Sequence, residues 1–389
     1  MKIFRYFFLM TIIIVSASCS GTSEEQLVGD WDRRTVFSLS GRCHAATFVI
    51  ENRGYVVGGY NGTNPPCREV FAFYHNEGTP VRDDRDGRTM GRWEELEELP
   101  DFIAERQQAV GFSLRASDGK YYGYMGSGWV WNAPELENET VKDFYRYDPS
   151  KEGSGETCWE PIAPLPENFK VRRGAFAFSL EVDGKMYGYV GGGFTDRPRN
   201  EYLNDLWKYD PDTDSWIEIA HGSFGKRLGG MAFVLNGKAY ICSGENSTGS
   251  INDFYVFDPY TETFEQLRTM TKVHPDDTYD TDYVSLRRTY GVAFVVPVSG
   301  VLRGHIVGGM NTEGATCWEY NETDDLWTQR TSFINNTNRN NREGMVSFYF
   351  PETGRAFAGL GRSGVSFYAD DMWEFIPLAD DNMYRDRVQ

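Results

Sequence analysis

The sequence predicts an all-β fold of six repeats, each built from four short antiparallel strands. Three observations carry that expectation. Arginine is followed by phenylalanine six residues later at Arg42/Phe48, Arg106/Phe112, Arg172/Phe178, Arg227/Phe233, Arg288/Phe294 and Arg342/Phe348. A ring is followed by glycine four residues later at Tyr55/Gly59, Tyr124/Gly128, Tyr189/Gly193, Tyr240/Gly244, His305/Gly309 and Phe357/Gly361. Helical periodicity is nearly absent, and the best candidate, 96–108, is interrupted by Pro100. Recurrence in fixed order is the signature of a repeat architecture.

The strands of a repeat follow in order. The first carries the phenylalanine, and the second carries the ring and ends on the glycine. The third is an aromatic run, often preceded by an acid and followed by Asp-Pro, at 143–149, 205–211 and 253–259, with looser copies at 69–74, 316–321 and 371–377. The fourth opens on Trp93, Trp159, Trp216, Phe264 or Trp327, and Gly, Asn, Asp and Pro mark the turns between. The sixth repeat stops after its third strand. Residues 29–37 supply a candidate for the missing one, because Trp31 is followed by an acid in the manner of Trp93-Glu94 and Trp159-Glu160. A strand from the N-terminus placed in the last sheet removes the terminal seam and its exposed edges. The expected architecture is a six-bladed β-propeller of four-stranded antiparallel blades over 28–377, closed by an N-terminal strand in the last blade and followed by a tail, 378–389.

This pattern resembles the kelch-repeat β-propeller family, whose repeats carry a glycine pair, a spaced Tyr and a spaced Trp. The glycine pair is literal in Gly58-Gly59, Gly192-Gly193 and Gly308-Gly309, and reduced to Ser127-Gly128, Ser243-Gly244 and Leu360-Gly361. The resemblance implies a fold and says little about activity. Bacterial exported proteins of this kind are often described as galactose oxidase-like, which would imply copper held by two His and two Tyr, with a Cys cross-linked to one Tyr. Here His44, His75, His221, His274 and His305 fall in different repeats without the spacing of a local metal motif. His305 takes a strand position held elsewhere by Tyr or Phe, and His44 is placed to face the channel. No metal and no other cofactor is expected.

The 26 Phe, 23 Tyr and 10 Trp supply ample apolar surface for a core, and a net charge of −18 disfavours nucleic-acid binding. Lys2 and Arg5 precede an apolar run, 7–15, that is too short to span a bilayer as a helix. Ser16, Ala17 and Ser18 then lead to Cys19 and a polar segment. This resembles a bacterial lipoprotein signal, with 1–18 removed, Cys19 lipidated and 19–27 a tether. It implies membrane attachment through that lipid, in the outer membrane of a Gram-negative cell, facing periplasm or surface.

The arginines Arg42, Arg106, Arg172, Arg227, Arg288 and Arg342 would ring one mouth of the channel. They would either bind an anion or pair with the acids opening the third strands: Glu69, Asp143, Asp205, Asp253 and Asp371. A charged group near the axis needs a partner to offset its desolvation, so the structural role is favoured. Repeat five has Thr316 in the acid's place and an adjacent pair, Arg287-Arg288. The loops between second and third strands hold Tyr60-Asn61, residues 129–132, Phe194 with Arg197 and Tyr202, Glu245-Asn246 and Met310-Asn311. Aromatic faces stack on sugar rings and the polar groups can hydrogen-bond hydroxyls, although Trp129 and Trp131 would also serve as packing between blades. Cys43 and Cys67 map to the same face and form a candidate disulfide.

No G-x-S-x-G, H-E-x-x-H or phosphate-binding glycine loop is present. The residues therefore favour a binding module for a glycan or protein over an enzyme, as a monomer or as a subunit of an envelope complex. Tyr60, Trp129, Trp131, Phe194, Arg173, Arg287 and Glu343 are the ligand-binding candidates. One alternative resembles the kelch-type sialic-acid mutarotases, where Arg173, Arg287 and Glu343 would, by position, supply anion binding and acid–base groups. Another is a structural subunit of an outer-membrane complex.

Overall fold

The computed structural model describes residues 27–37, 40–82, 87–132, 137–270, 286–310, 316–333 and 341–380. Cys19 with the leader, His274 and Asn311 lie outside them. Among the described residues there are six four-stranded antiparallel sheets, and the one helical element is the short 3-10 turn Pro149–Lys151. The helical candidate 96–108 forms no helix. Pro100 interrupts it, and its last residues join the strand Arg106–Gln107.

The first strands are Ala46–Ile50, Val110–Arg115, Phe176–Val182, Met231–Leu235, Val292–Val298 and Val346–Phe350. Residues from all six, with those just before them, line one central cavity of about 310 Å³. Each first strand pairs antiparallel with the second so that the recurrent phenylalanine faces the recurrent ring. Five of these pairs stack with centroids 5.0–5.3 Å apart. The other side of the phenylalanine packs on the next sheet. A Cβ on Gly123 would sit 2.2 Å from the Phe48 ring, and one on Gly54 2.7 Å from Phe348, so only glycine lets these sheets approach.

Two series of backbone hydrogen bonds run around the axis. In the first, the N–H of Gly59, Gly128, Gly193, Gly244, Gly309 and Gly361 donates to the carbonyl of Arg106, Arg172, Arg227, Arg288, Arg342 and Arg42, at 2.6–2.9 Å. In the second, Gln108 donates to His44, Gly174 to Gln108, Gly229 to Gly174, Tyr290 to Gly229, Gly344 to Tyr290 and His44 to Gly344, at 2.8–2.9 Å. All members of the second series have φ between +56° and +62°.

The sixth sheet runs Val346–Phe350, Arg355–Gly359, Asp371–Asp380 and then Val28–Val36. Trp31 lies opposite Phe375 and Asp30 opposite Ile376. The last strand runs three residues past the expected end at 377, because Val28 pairs with Asp380. Trp31 is 1% exposed and packs edge-on against Phe294 and Phe333, while its Nε1–H donates to the Thr331 carbonyl at 3.1 Å. The indole thus joins the fifth and sixth sheets. Trp31→Ala is expected to cost about 3–5 kcal/mol, and deletion of 28–36 more, as measured by urea denaturation. A Trp31→Ala protein as stable as the wild type would show that the indole does not hold these sheets together.

Candidate functional site

The six recurrent arginines are buried, each at most 4% exposed, and none of them lines the central cavity. Four bond the acid that opens the third strand within 3.0 Å: Arg106 with Asp143, Arg172 with Asp205, Arg227 with Asp253 and Arg342 with Asp371. Arg42 reaches Glu69 at 3.4 Å. Arg288 donates instead to the Thr316 hydroxyl at 2.9 Å and carbonyl at 2.8 Å, and burial brings its guanidinium down to about 10. Each arginine also donates to a carbonyl at the end of the second strand, for example Arg172 to Gly192 at 3.1 Å. These guanidiniums therefore tie three strands of a sheet together.

The second residue after each arginine lines the cavity, and the residue after the recurrent glycine meets the first. The bridges pair Cys43 with Tyr60, Arg173 with Phe194, Leu228 with Glu245, Thr289 with Met310 and Glu343 with Arg362. In the second sheet Gln107 pairs with Trp129. The loops expected there fold largely as short two-stranded ribbons, such as Trp129–Asn132 against Glu137–Thr140 and Phe194–Thr195 against Glu201–Tyr202.

One half of the mouth is organised by Arg173. Its guanidinium lies 4.8 Å from the Trp129 ring and 5.1 Å from the Phe194 ring, and Nη1 donates to the Gln108 Oε1 at 2.8 Å. It forms no ion pair among the described residues. Tyr290 donates its hydroxyl to the same Gln108 oxygen at 3.1 Å, and Tyr202 meets Phe194 edge-on. The other half is neutralised. Arg362 donates Nε–H to Glu343 at 2.7 Å, with Tyr60 edge-on to Tyr368 beside it.

His44 is buried, with its ring edge-on to Tyr290 at 4.7 Å. Burial, reinforced by Arg362 and Arg173, lowers it to about 3, so the imidazole that approaches Glu343 to 3.9 Å is neutral at neutral pH. Burial raises the Glu245 carboxyl and Glu343 adds to the effect, while Arg173 opposes it. A carboxyl raised in this way, without an ion pair among the described residues, is a candidate proton carrier.

The sequence-derived candidates divide. Arg173, Trp129 and Phe194 form one cluster, while Glu343 and Tyr60 stand in the other half. Trp131 is half-buried on the Trp129 ribbon and makes no ring or cation contact with Arg173. Arg287 is half-buried and makes no hydrogen bond or ion pair with either half. Arg197 pairs with Glu139 across two ribbons. The expected disulfide is absent: Cys43 and Cys67 are free buried thiols, and burial pushes them up to about 12 and about 11. His305 is a core group, stacked on Phe294 and held by Glu319 at 3.2 Å. Among the described residues no group of three or more His, Cys, Asp or Glu is placed to hold a metal.

Gln108, Tyr290, Arg362 and Tyr368 were not singled out from sequence, and Glu245 was named only as a loop residue able to hydrogen-bond a ligand. A signal for the first two was present. Two residues after the arginine the chain reads His, Gln, Gly, Gly, Tyr and Gly, and all six adopt the left-handed conformation that glycine takes without strain. Each of His44, Gln108 and Tyr290 holds a conformation costing on the order of 1–3 kcal/mol, and all three turn into the mouth.

A family model described as Kelch motif matches residues 179–222 and 232–271. The N-acetylneuraminate epimerase of Escherichia coli O9:H4 (strain HS) is 34% identical over 159 residues, 41% of this chain and 37% of that protein. That of Escherichia coli O157:H7 is 29% identical over 131 residues, 33% of this chain and 30% of that protein. The chain thus spans about a third of the length of the curated relatives it matches. A solved structure of YjhT aligns with a TM-score of 0.60 and 13% identity, covering 87% of this chain and 95% of that one, a likeness of fold alone.

The arginine pairs give a pH dependence. Burial alone would raise Asp205, but Arg172 outweighs it and holds the carboxyl below its usual value; Asp143 and Asp371 are lowered likewise by Arg106 and Arg342. Folded values below the unfolded one, near ~4, give stability that is full above that pH and lost as pH falls through the folded values. Asp205→Asn should cost about 3–5 kcal/mol at pH 7 and lessen the loss of stability on acidification, read from urea melts at pH 7 and pH 3. Parallel pH curves for the variant and the wild type would remove this pair as a cause.

Proposed function

The chain is a kelch-repeat protein, and from that premise we propose that it is a six-bladed propeller, closed by its N-terminal strand, whose channel mouth binds an anionic sugar. The observation that carries this reading is Arg173, a cation at the mouth held between two aromatic faces and an amide oxygen, with no ion pair among the described residues. Charge-assisted pairing to a ligand carboxylate is strong where the guanidinium is already oriented. Trp129 and Phe194 add apolar faces beside it, and the neutral half with Tyr60, Glu343 and Arg362 offers donors and acceptors for hydroxyls. For the ring, support comes from the two hydrogen-bond series that return from the sixth sheet to the first.

A second reading, sugar isomerisation without a metal, is favoured by one further observation. Glu245 has a raised carboxyl in a mouth that also holds neutral His44 and the Glu343–Arg362 pair. The partial likeness to proteins named N-acetylneuraminate epimerase points the same way. We also place the protein at the cell envelope, anchored by lipid on Cys19 and facing periplasm or surface, alone or within an envelope complex.

Titration calorimetry of the soluble body with N-acetylneuraminate tests the first reading. Arg173→Ala should weaken binding about tenfold or more, a loss of roughly 1.4 kcal/mol, and leave the melting temperature within a few degrees. Unchanged affinity in that variant would sink the role of Arg173. Exchange of the two anomers of the same sugar, followed by NMR, separates enzyme from binder: acceleration that Glu245→Gln abolishes supports isomerisation, and no acceleration leaves a binding module. Cys19→Ser should end fatty-acid labelling and release the protein from membranes, and retention there would refute the lipid anchor.

A further inference from the structure

We infer that Gln108 is a positioning residue: its amide oxygen holds Arg173 in place without discharging it, which makes the mouth select a carboxylate over a neutral group. The inference rests on the anionic-sugar reading of the mouth and adds the origin of its selectivity. Gln108 follows the arginine of the second sheet, Arg173 that of the third and Tyr290 that of the fifth. One atom, Oε1 of Gln108, accepts from Arg173 at 2.8 Å and from Tyr290 at 3.1 Å, so it joins groups across the axis. Arginine only donates, which fixes the oxygen rather than the nitrogen of the amide toward it, and two donors use both lone pairs of that oxygen.

The backbone supports a role beyond folding. Gln108 has φ +56°, and at the equivalent positions Gly174, Gly229 and Gly344 satisfy the same ring of hydrogen bonds without strain. Glycine would serve the ring here too, so the ring of hydrogen bonds does not account for the glutamine side chain. The chemistry of the amide is specific to that task. A carboxylate would hold the guanidinium more tightly and neutralise it, as Glu343 does to Arg362 on the other side of the mouth. An alkyl chain would leave it mobile. The aromatic faces of Trp129 and Phe194 restrain the guanidinium without cancelling its charge, and the glutamine fixes its remaining freedom.

Two variants and two measurements test this. Gln108→Gly should fold at least as well as the wild type, because glycine fits the left-handed position. In the ligand-free protein, rotation of the Arg173 guanidinium measured by NMR should be hindered in the wild type and in Gln108→Glu, and fast in Gln108→Gly. Equal hindrance in Gln108→Gly would overturn the positioning role whatever the ligand. In binding, the wild type should prefer N-acetylneuraminate to its uncharged methyl ester. Gln108→Glu should lose that preference by about tenfold or more, with its melting temperature within a few degrees. An undiminished preference in Gln108→Glu overturns the selectivity. A wild type indifferent to the carboxylate would sink the anionic-sugar reading and the selectivity with it, and the positioning role would then be decided by the guanidinium rotation alone.

Discussion

A backbone hydrogen bond repeated around the axis is the constraint on which the other features depend. The peptide groups two residues after each arginine face the centre, where no strand of their own sheet can pair with them, and an unpaired buried N–H is costly. They pair with one another, from Gln108 to His44 and onward until His44 donates to Gly344. The geometry demands a left-handed residue in every sheet. Once that residue is in place, its side chain turns inward, beside the side chain of the residue before it. The mouth is therefore built from the same structure that docks the sheets, which gives rigid placement to whatever stands there.

The charges follow the same logic at a second level. The wall arginines are matched to acids or, at Arg288, to Thr316, so they hold strands together and offer little to a ligand. Against that background a cation at the mouth with no ion pair among the described residues, Arg173, matters more than the total. A chain of net charge −18 can still attract an anion at one point, because screening confines the influence of distant surface charge to about 10 Å. Arg173 differs from its neighbour Arg172 only in which way it turns: the latter reaches Asp205 and the former the channel mouth.

Much of the fold was legible because its determinants recur at fixed spacing. The Phe and Tyr signals are cross-strand partners, such as Phe48 with Tyr55, so each predicts the other. The arginine–acid pairs were legible for the same reason, since both ends recur. Trp31 announced an outer strand through its resemblance to Trp93 and Trp159. The site was legible only in part. Gln108 and Tyr290 share a contact across 182 residues of chain, and no local pattern states that two positions will meet over an axis. Their departure from glycine was the available sign. The cysteines misled because a shared face is a weaker condition than the close approach a disulfide requires.

The closing sheet sets an order of events for the chain. Arg34 meets Glu374 across 340 residues, so the strand Val28–Val36 has its partner only after the distant strand Asp371–Asp380 has been made. Contacts so distant in sequence are slow to form, because the entropy of closing the loop precedes any gain from pairing. Until then Trp31 and the edge of the last sheet stay uncovered, a surface on which a second copy could pair its own first strand. Pairing of Val28–Val36 within its own chain thus competes with pairing between copies, and high concentration favours the latter.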